Sequence, residues 1–318
     1  MPSPIEPLRG NILATFEQPN GQRHATLIEA VRNGLISAEI AIDGTDGPPR
    51  APKAIQPAMG PAFLQLHLTH MELLWCSTYG WMILYEEGVQ RPMIDHTWAG
   101  HIVLDSPLKE RAANLLKWSS SLRTRFTRWP AGHPCPSGGA DAAETEFCFK
   151  ANNVFCNAVS FLLYHEFAHV QQGHFRVHDP RDNPQAHALA LDLEREADDY
   201  AYSVFVSATD TEERRAELAW PLLMPLLSSL YLVDGLVGVF QRRHPHLHHR
   251  IRHMLDRLDL REGRYADYYK FLCAVVLSVF SNAHARGGDE APLEPEVFLT
   301  TEEALDGELD FLDRAEPN

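Results

Sequence analysis

His165-Glu166-Phe167-Ala168-His169 decides how the rest of this chain is read. Residues four apart share one face of an α-helix, so on a helix both imidazoles can bind a single ion. Glu166 is offset by one position, where it can reach a water on that ion without ligating it. Two nitrogen ligands with an adjacent carboxylate base form the pattern of a zinc-dependent hydrolytic site. Five residues also match this pattern by chance, so the flanks have to support it.

The flanks predict a helix. Residues Thr145 to Phe175 contain no proline, and Gly173 comes only near the end. Phe147, Phe149, Val154, Phe155, Ala158, Val159, Phe161, Leu162 and Phe167 recur at near-helical spacing, as in a centrally buried helix. An unpaired Glu166 would be costly there unless a metal and its water sat beside it. The plain alternative is a core helix carrying two satisfied histidines.

A catalytic zinc needs a third protein ligand and an open position. Gln172 and Phe175 stand where the metzincin pattern needs glycine and histidine, and the inverted H-x-x-E-H motif is absent. The better source is Leu191-Asp192-Leu193-Glu194-Arg195-Glu196-Ala197-Asp198-Asp199-Tyr200-Ala201, within an expected helix from Ala188 to Val206. Glu194 and Asp198 lie one turn apart on one face. Glu194 can ligate, while Asp198 can accept a hydrogen bond from a ligand imidazole and fix its tautomer. Glu196 is the alternative ligand, on a different face. The intervening loop is expected at His178-Asp179-Pro180-Arg181-Asp182-Asn183-Pro184. The alternative here is an ordinary solvated acidic helix face.

His165-Glu166-x-x-His169 followed by Glu194-x-x-Ala197-Asp198 resembles a gluzincin. More narrowly, it is similar to the minigluzincin peptidases that include the CAAX-processing and HtpX-type proteases. His174, five residues after the second ligand, agrees, as does His244-Pro245 with Arg250 six residues after His244. The resemblance covers residues 145 to 258. It implies a mainly α (α+β) fold with a zincin-like helical core and a small β element. It further implies Zn2+ on His165, His169 and Glu194, Glu166 as general base, and Asp198 orienting a ligand. His244 and Arg250 would line the active site and help stabilise the oxyanion. The chain lacks the transmembrane set of the membrane-bound members and is closer in character to the Lit-type phage-exclusion peptidases. That likeness implies an intracellular protein target, a role in phage defence and an activating trigger. The remaining histidines, His246, His248, His249 and His253, read as mostly solvated, or as an adventitious metal site.

Composition sets outer limits. At 318 residues the chain can bury a large core, and 45% hydrophobic with 22% charged residues is ordinary for a globular protein. A net charge of −15 argues against nucleic acid as a partner. Cys76, Cys135, Cys148, Cys156 and Cys273 are odd in number, with no C-x-x-C pair, and read as reduced thiols in a cytoplasmic protein. Met1-Pro2-Ser3-Pro4-Ile5-Glu6 has no secretory pattern. Ala219 to Phe240 is long and apolar enough to raise the question of a membrane span. Asp234, Pro221 and Pro225 favour a buried helix under the active site instead.

Three segments are expected: a mixed N-terminal part (1–62) with a Pro-rich connection from Gly47, a helical peptidase domain (63–285) and an acidic tail (286–318). Within them, Thr26 to Gly34 reads as helix and Ile36 to Ile42 as strand. Phe63 to Glu87 reads as a helix that Gly80 can kink, Gly100 to Asp105 as a short edge strand for substrate, and Ser106 to Phe126 as helix. Ile251 to Leu260 and Tyr265 to Ser281 read as helices, Arg286 to Pro295 as a linker, and Glu302 to Glu316 as a peripheral helix or a flexible arm. The function expected is a zinc endopeptidase acting on a protein or peptide. Its rivals are a zinc-binding regulator without hydrolytic activity and a zinc hydrolase of a small-molecule amide.

Overall fold

The central element of the computed structural model is a 30-residue helix, Ala142–Gln171 (α6). Asp141 caps its start by accepting from the Glu144 N–H at 2.8 Å. Its end is set by Gly173, whose φ of +72° is the left-handed conformation in which glycine terminates helices. Phe155, Phe161, Leu163, Tyr164 and Phe167 on α6 are fully buried. The structure describes residues 3–18, 21–174, 184–240, 245–261, 263–285 and 300–315.

The other helices are Arg9–Glu17 (α1), Gly21–Arg32 (α2), Leu68–Tyr85 (α3), Arg91–Ile94 (α4), Pro107–Ser121 (α5), Pro184–Phe205 (α7), Glu212–Ser229 (α8), Leu247–Leu258 (α9), Gly263–Ala285 (α10) and Thr301–Arg314 (α11). α6 packs against α1, α3, α7 and α8. The strands Ala41–Asp43 (β1), Lys53–Ile55 (β2) and Phe63–His67 (β3) form one sheet in the order β1-β3-β2, with β1 parallel and β2 antiparallel to β3. The fold is mainly α with this small sheet, as expected.

Several local expectations are corrected. Phe63–His67 is strand, not the first turn of a helix: Leu64 and Leu66 point into the core while Phe63 and Gln65 are half-exposed. α3 runs unbroken through Gly80, whose role is to admit α5. A Cβ there would lie 2.4 Å from Leu116 Cγ. Gly100 to Asp105 forms no strand, and Gly100 has φ +82°. Ile102 packs instead over Gly88.

The segment tested for a membrane span is two elements. α8 starts at Thr211, which caps through the Arg214 N–H, and it carries Pro221 and Pro225 in its interior rather than at its start. It ends at Ser229, and no helix among the described residues is long and apolar enough to cross a membrane. The acidic C-terminal residues form α11, opened by a capping box between Thr300 and Glu303. Arg252 of α9 holds α11 through Asp306 at 2.6 Å and Glu302 at 2.8 Å. The expected loop between α6 and α7 and the 286–295 linker lie outside the described residues, apart from Pro184 at the start of α7.

Candidate metal centre

The antiparallel contact of α6 with α7 brings the H-E-x-x-H face opposite Glu194. His165 Nε2 lies 3.2 Å from His169 Nε2 and 3.3 Å from Glu194 Oε2, and His169 Nε2 lies 3.5 Å from Glu194 Oε1. These spacings permit a test of fit. Four bonds of about 2.0–2.1 Å around zinc put neighbouring donors about 3.3–3.4 Å apart. The two imidazole nitrogens stand near that edge length, and each faces a different oxygen of Glu194 at a similar distance, with nitrogen and carboxylate chemistry suited to zinc. Glu196 is well exposed and faces His174 at 3.7 Å, so it stands apart from the cluster.

Each histidine has a fixed orientation. His165 is 5% exposed, and its Nδ1–H donates to Asp198 Oδ1 at 2.8 Å, because a carboxylate can only accept. That leaves the Nε2 lone pair for the ligand set. Asp198 is itself clamped by Arg250, whose Nε donates to Oδ2 at 2.9 Å and whose terminal N–H donates to Oδ1 at 2.8 Å. This two-pronged bond joins α9 to α7 with the planar geometry only arginine provides. On the other histidine, His169 Nδ1 meets His174 Nδ1 at 2.8 Å. With His169 as donor, its Nε2 carries the lone pair that faces His165 and Glu194.

The electrostatics follow from this packing. Burial alone would raise the Asp198 carboxyl, but the adjacent Arg250 and His165 hold it far below the usual carboxylate range. Burial alone would lower His165, but its bonds to Asp198 and Glu194 push it up to about 10 in the metal-free protein. His174 is drawn down by burial.

Glu166 is half-buried on the site face, not in the core. Its Oε2 accepts from the backbone N–H of Ala54 at 2.7 Å. Ala54 is the middle residue of β2, the outer strand on its side of the sheet. The edge strand next to the site is therefore β2, inside the segment read as a Pro-rich connection. The signal for it in the sequence is Lys53-Ala54-Ile55 bounded by Pro52 and Pro57, since proline inside a sheet is confined to edges and strand ends.

The structure thus brings together His165, His169, Glu194, Glu166, Asp198 and Arg250. His244 lies outside the described residues. The other α9 histidines need one correction: His248 is fully buried rather than solvated, packed among the rings of Phe240, His246 and His249 with its Nε2 on Asp313 of α11.

A match to the family model of Peptidase U49 spans residues 64–270, well over half of the chain. The chain belongs to the Peptidase U49 family. The matched span contains α6, α7 and α9, and with them every described residue of the cluster. A search of curated proteins and a search of solved structures each returned no match. The family assignment makes the protein a peptidase in kind.

Proposed function

We propose that this chain is a zinc-dependent endopeptidase of the gluzincin type. The observation that carries the reading is the convergence of His165, His169 and Glu194 within reach of one ion, with Glu166 alongside. Zinc held by these three side chains would supply a lowered water pKa and polarisation of the scissile carbonyl. Glu166 takes the proton of the attacking water and delivers it to the leaving amine. The Ala54 N–H orients the Glu166 carboxylate for this task. Asp198 keeps His165 in the tautomer that presents Nε2, and Arg250 keeps Asp198 ionised in its buried position. In the gluzincin resemblance, His244 and Arg250 also stabilise the developing oxyanion. Arg250 can do so only while it holds Asp198.

The substrate in this reading is an intracellular protein. An extended segment of it passes β2 and brings a peptide bond beside Glu166, with the Ala54 N–H kept on the Glu166 carboxylate. Involvement in phage defence and activation by a trigger rest on the Lit-type resemblance.

The test is a survey of new protein N-termini in bacterial cells expressing the chain, with and without phage infection, against Glu166→Gln. Termini that appear only with the intact glutamate support the proposal and name the substrate. Identical profiles under both conditions, from a zinc-loaded protein, would overturn it.

A further inference from the structure

Outside this centre, a second group of donors converges where α9 meets α11. His248 Nε2 and His249 Nε2, in the first turn of α9, each lie 2.8 Å from the same oxygen, Asp313 Oδ1, near the end of α11. Two imidazole nitrogens and a carboxylate oxygen from two helices form a ligand set for a borderline divalent cation. Asp313 lies beyond the span matched by the family model.

Two observations set this group apart from a pair of surface ion pairs. His248 is fully buried although it carries a polar ring, so its Nε2 is aimed at Asp313 by the packing of the helix. Both rings also sit at a helix N-terminus, where the helix dipole disfavours imidazolium and so favours neutral rings able to ligate. His249 and Asp313 are about half-exposed, which leaves solvent a path to the remaining coordination positions.

We infer that His248, His249 and Asp313 form a second, zinc-type metal site that fastens the end of α11 to the first turn of α9. Loading needs no net loss of protons from the rings: each Nε2–H becomes Nδ1–H as the Nε2 lone pair turns to the metal. It does need the present 2.8 Å N···O spacings to open toward about 3.3 Å. The half-exposed His249 and Asp313 can make that shift. Among the described residues His248 Nδ1 has no hydrogen-bond partner, unlike His165 Nδ1 on Asp198. A missing outer partner weakens metal sites by about 10–100-fold, so this site binds more weakly than the first by roughly that factor.

The experiment is a titration of the full-length, chelator-stripped protein with Zn2+ by calorimetry and chelator competition. Wild type is expected to show two steps, the second about 10–100-fold weaker. His249→Gln and Asp313→Asn, both at half-exposed positions, should each delete only the weaker step, and His169→Ala only the tighter one. A wild type whose only step is the one that His169→Ala removes, or a weaker step that survives both His249→Gln and Asp313→Asn, would overturn the inference. A single step that His169→Ala leaves intact and His249→Gln abolishes would uphold this site while sinking the zinc reading of the first, so the two proposals fail separately.

Discussion

The molecule holds two clusters of two histidines and a carboxylate, and they differ in what surrounds them. On α6 and α7 the donors stand 3.2–3.5 Å apart, the spacing of metal ligands. On α9 and α11 each imidazole nitrogen stands 2.8 Å from the carboxylate oxygen, the spacing of hydrogen bonds. His165 is braced by Asp198, and Asp198 by Arg250; among the described residues the equivalent atom of His248 has no brace. Among the described residues, the first cluster has a further carboxylate alongside, Glu166, oriented by a strand. A donor set therefore does not define a catalytic site. In the proposed reading the bracing and the neighbouring base do, and each is a separate target for substitution.

The largest effect is expected from the base. Glu166→Gln keeps the shape of the side chain and an acceptor for the Ala54 N–H but cannot take a proton. Peptide hydrolysis should fall by about 10²–10⁴-fold, while both zinc steps stay as in wild type. Turnover against the substrate identified by the N-terminal survey measures this. An unchanged rate would remove Glu166 from the chemistry.

Bracing is tested next. Asp198→Asn leaves the Arg250 guanidinium buried against a neutral group, and breaking a buried pair in this way costs about 3–5 kcal/mol. It also loosens His165, so the tighter zinc step should weaken about 10–100-fold. Asp313→Asn removes a half-exposed carboxylate and should cost at most about 1 kcal/mol in the metal-free protein. Denaturant unfolding of the two variants should separate them clearly. Equal costs would mean that the two carboxylates are embedded alike, contrary to the structure.

The two clusters should also part company with pH. In the metal-free protein His165 holds its proton up to about 10, because Asp198 and Glu194 overcome the effect of burial. Its folded pKa is raised, so the stability it contributes is full below the ordinary imidazole value of about 6.5 and is lost as pH rises through about 10. Zinc must displace that proton, so apparent affinity at the first cluster should climb about tenfold per pH unit across neutrality. His248 is shifted the other way, lowered by burial, and is neutral at pH 7. Its contribution to stability is lost only as pH falls below about 6.5, and zinc binding there should be nearly flat above neutrality. Zinc titrations at pH 6, 7 and 8 compare the two slopes directly.

Legibility in the sequence follows the reach of local geometry. Helical spacing alone puts His165 and His169 on one face, and Glu194 with Asp198 on another, so the residue pattern by itself is enough to single them out. Arg250 is placed at the site by resemblance, but its bond to Asp198 depends on how α9 lies against α7. Ala54 is out of reach for a related reason: a three-residue strand between prolines has too few positions to show alternation, and its importance comes from pairing with β3. Phe63–His67 reads as helix because no glycine or proline separates it from α3, so one apolar run covers both elements. His248 reads as solvated because its burial depends on how the chain before α9 brings the Phe240 ring against it, and its polar partner is a carboxylate 65 residues away.

The smallest effect probes whether α11 docks as one unit. Thr300→Ala removes the side chain that accepts from the Glu303 N–H and with it the capping box. Losing such a cap costs about 1 kcal/mol, or about 2 °C in melting temperature for a chain of this size. Thr300 and Asp313 sit at opposite ends of α11, about 20 Å apart along the helix. Between them, Arg252 grips Glu302 and Asp306. If those contacts hold the helix in register, the melting temperature drops while the weaker zinc step keeps its affinity within about twofold. If the cap governs docking of the whole helix, the weaker step declines by the same 1 kcal/mol, about fivefold in affinity. The tighter step, whose donors lie on α6 and α7, should stay unchanged in either case.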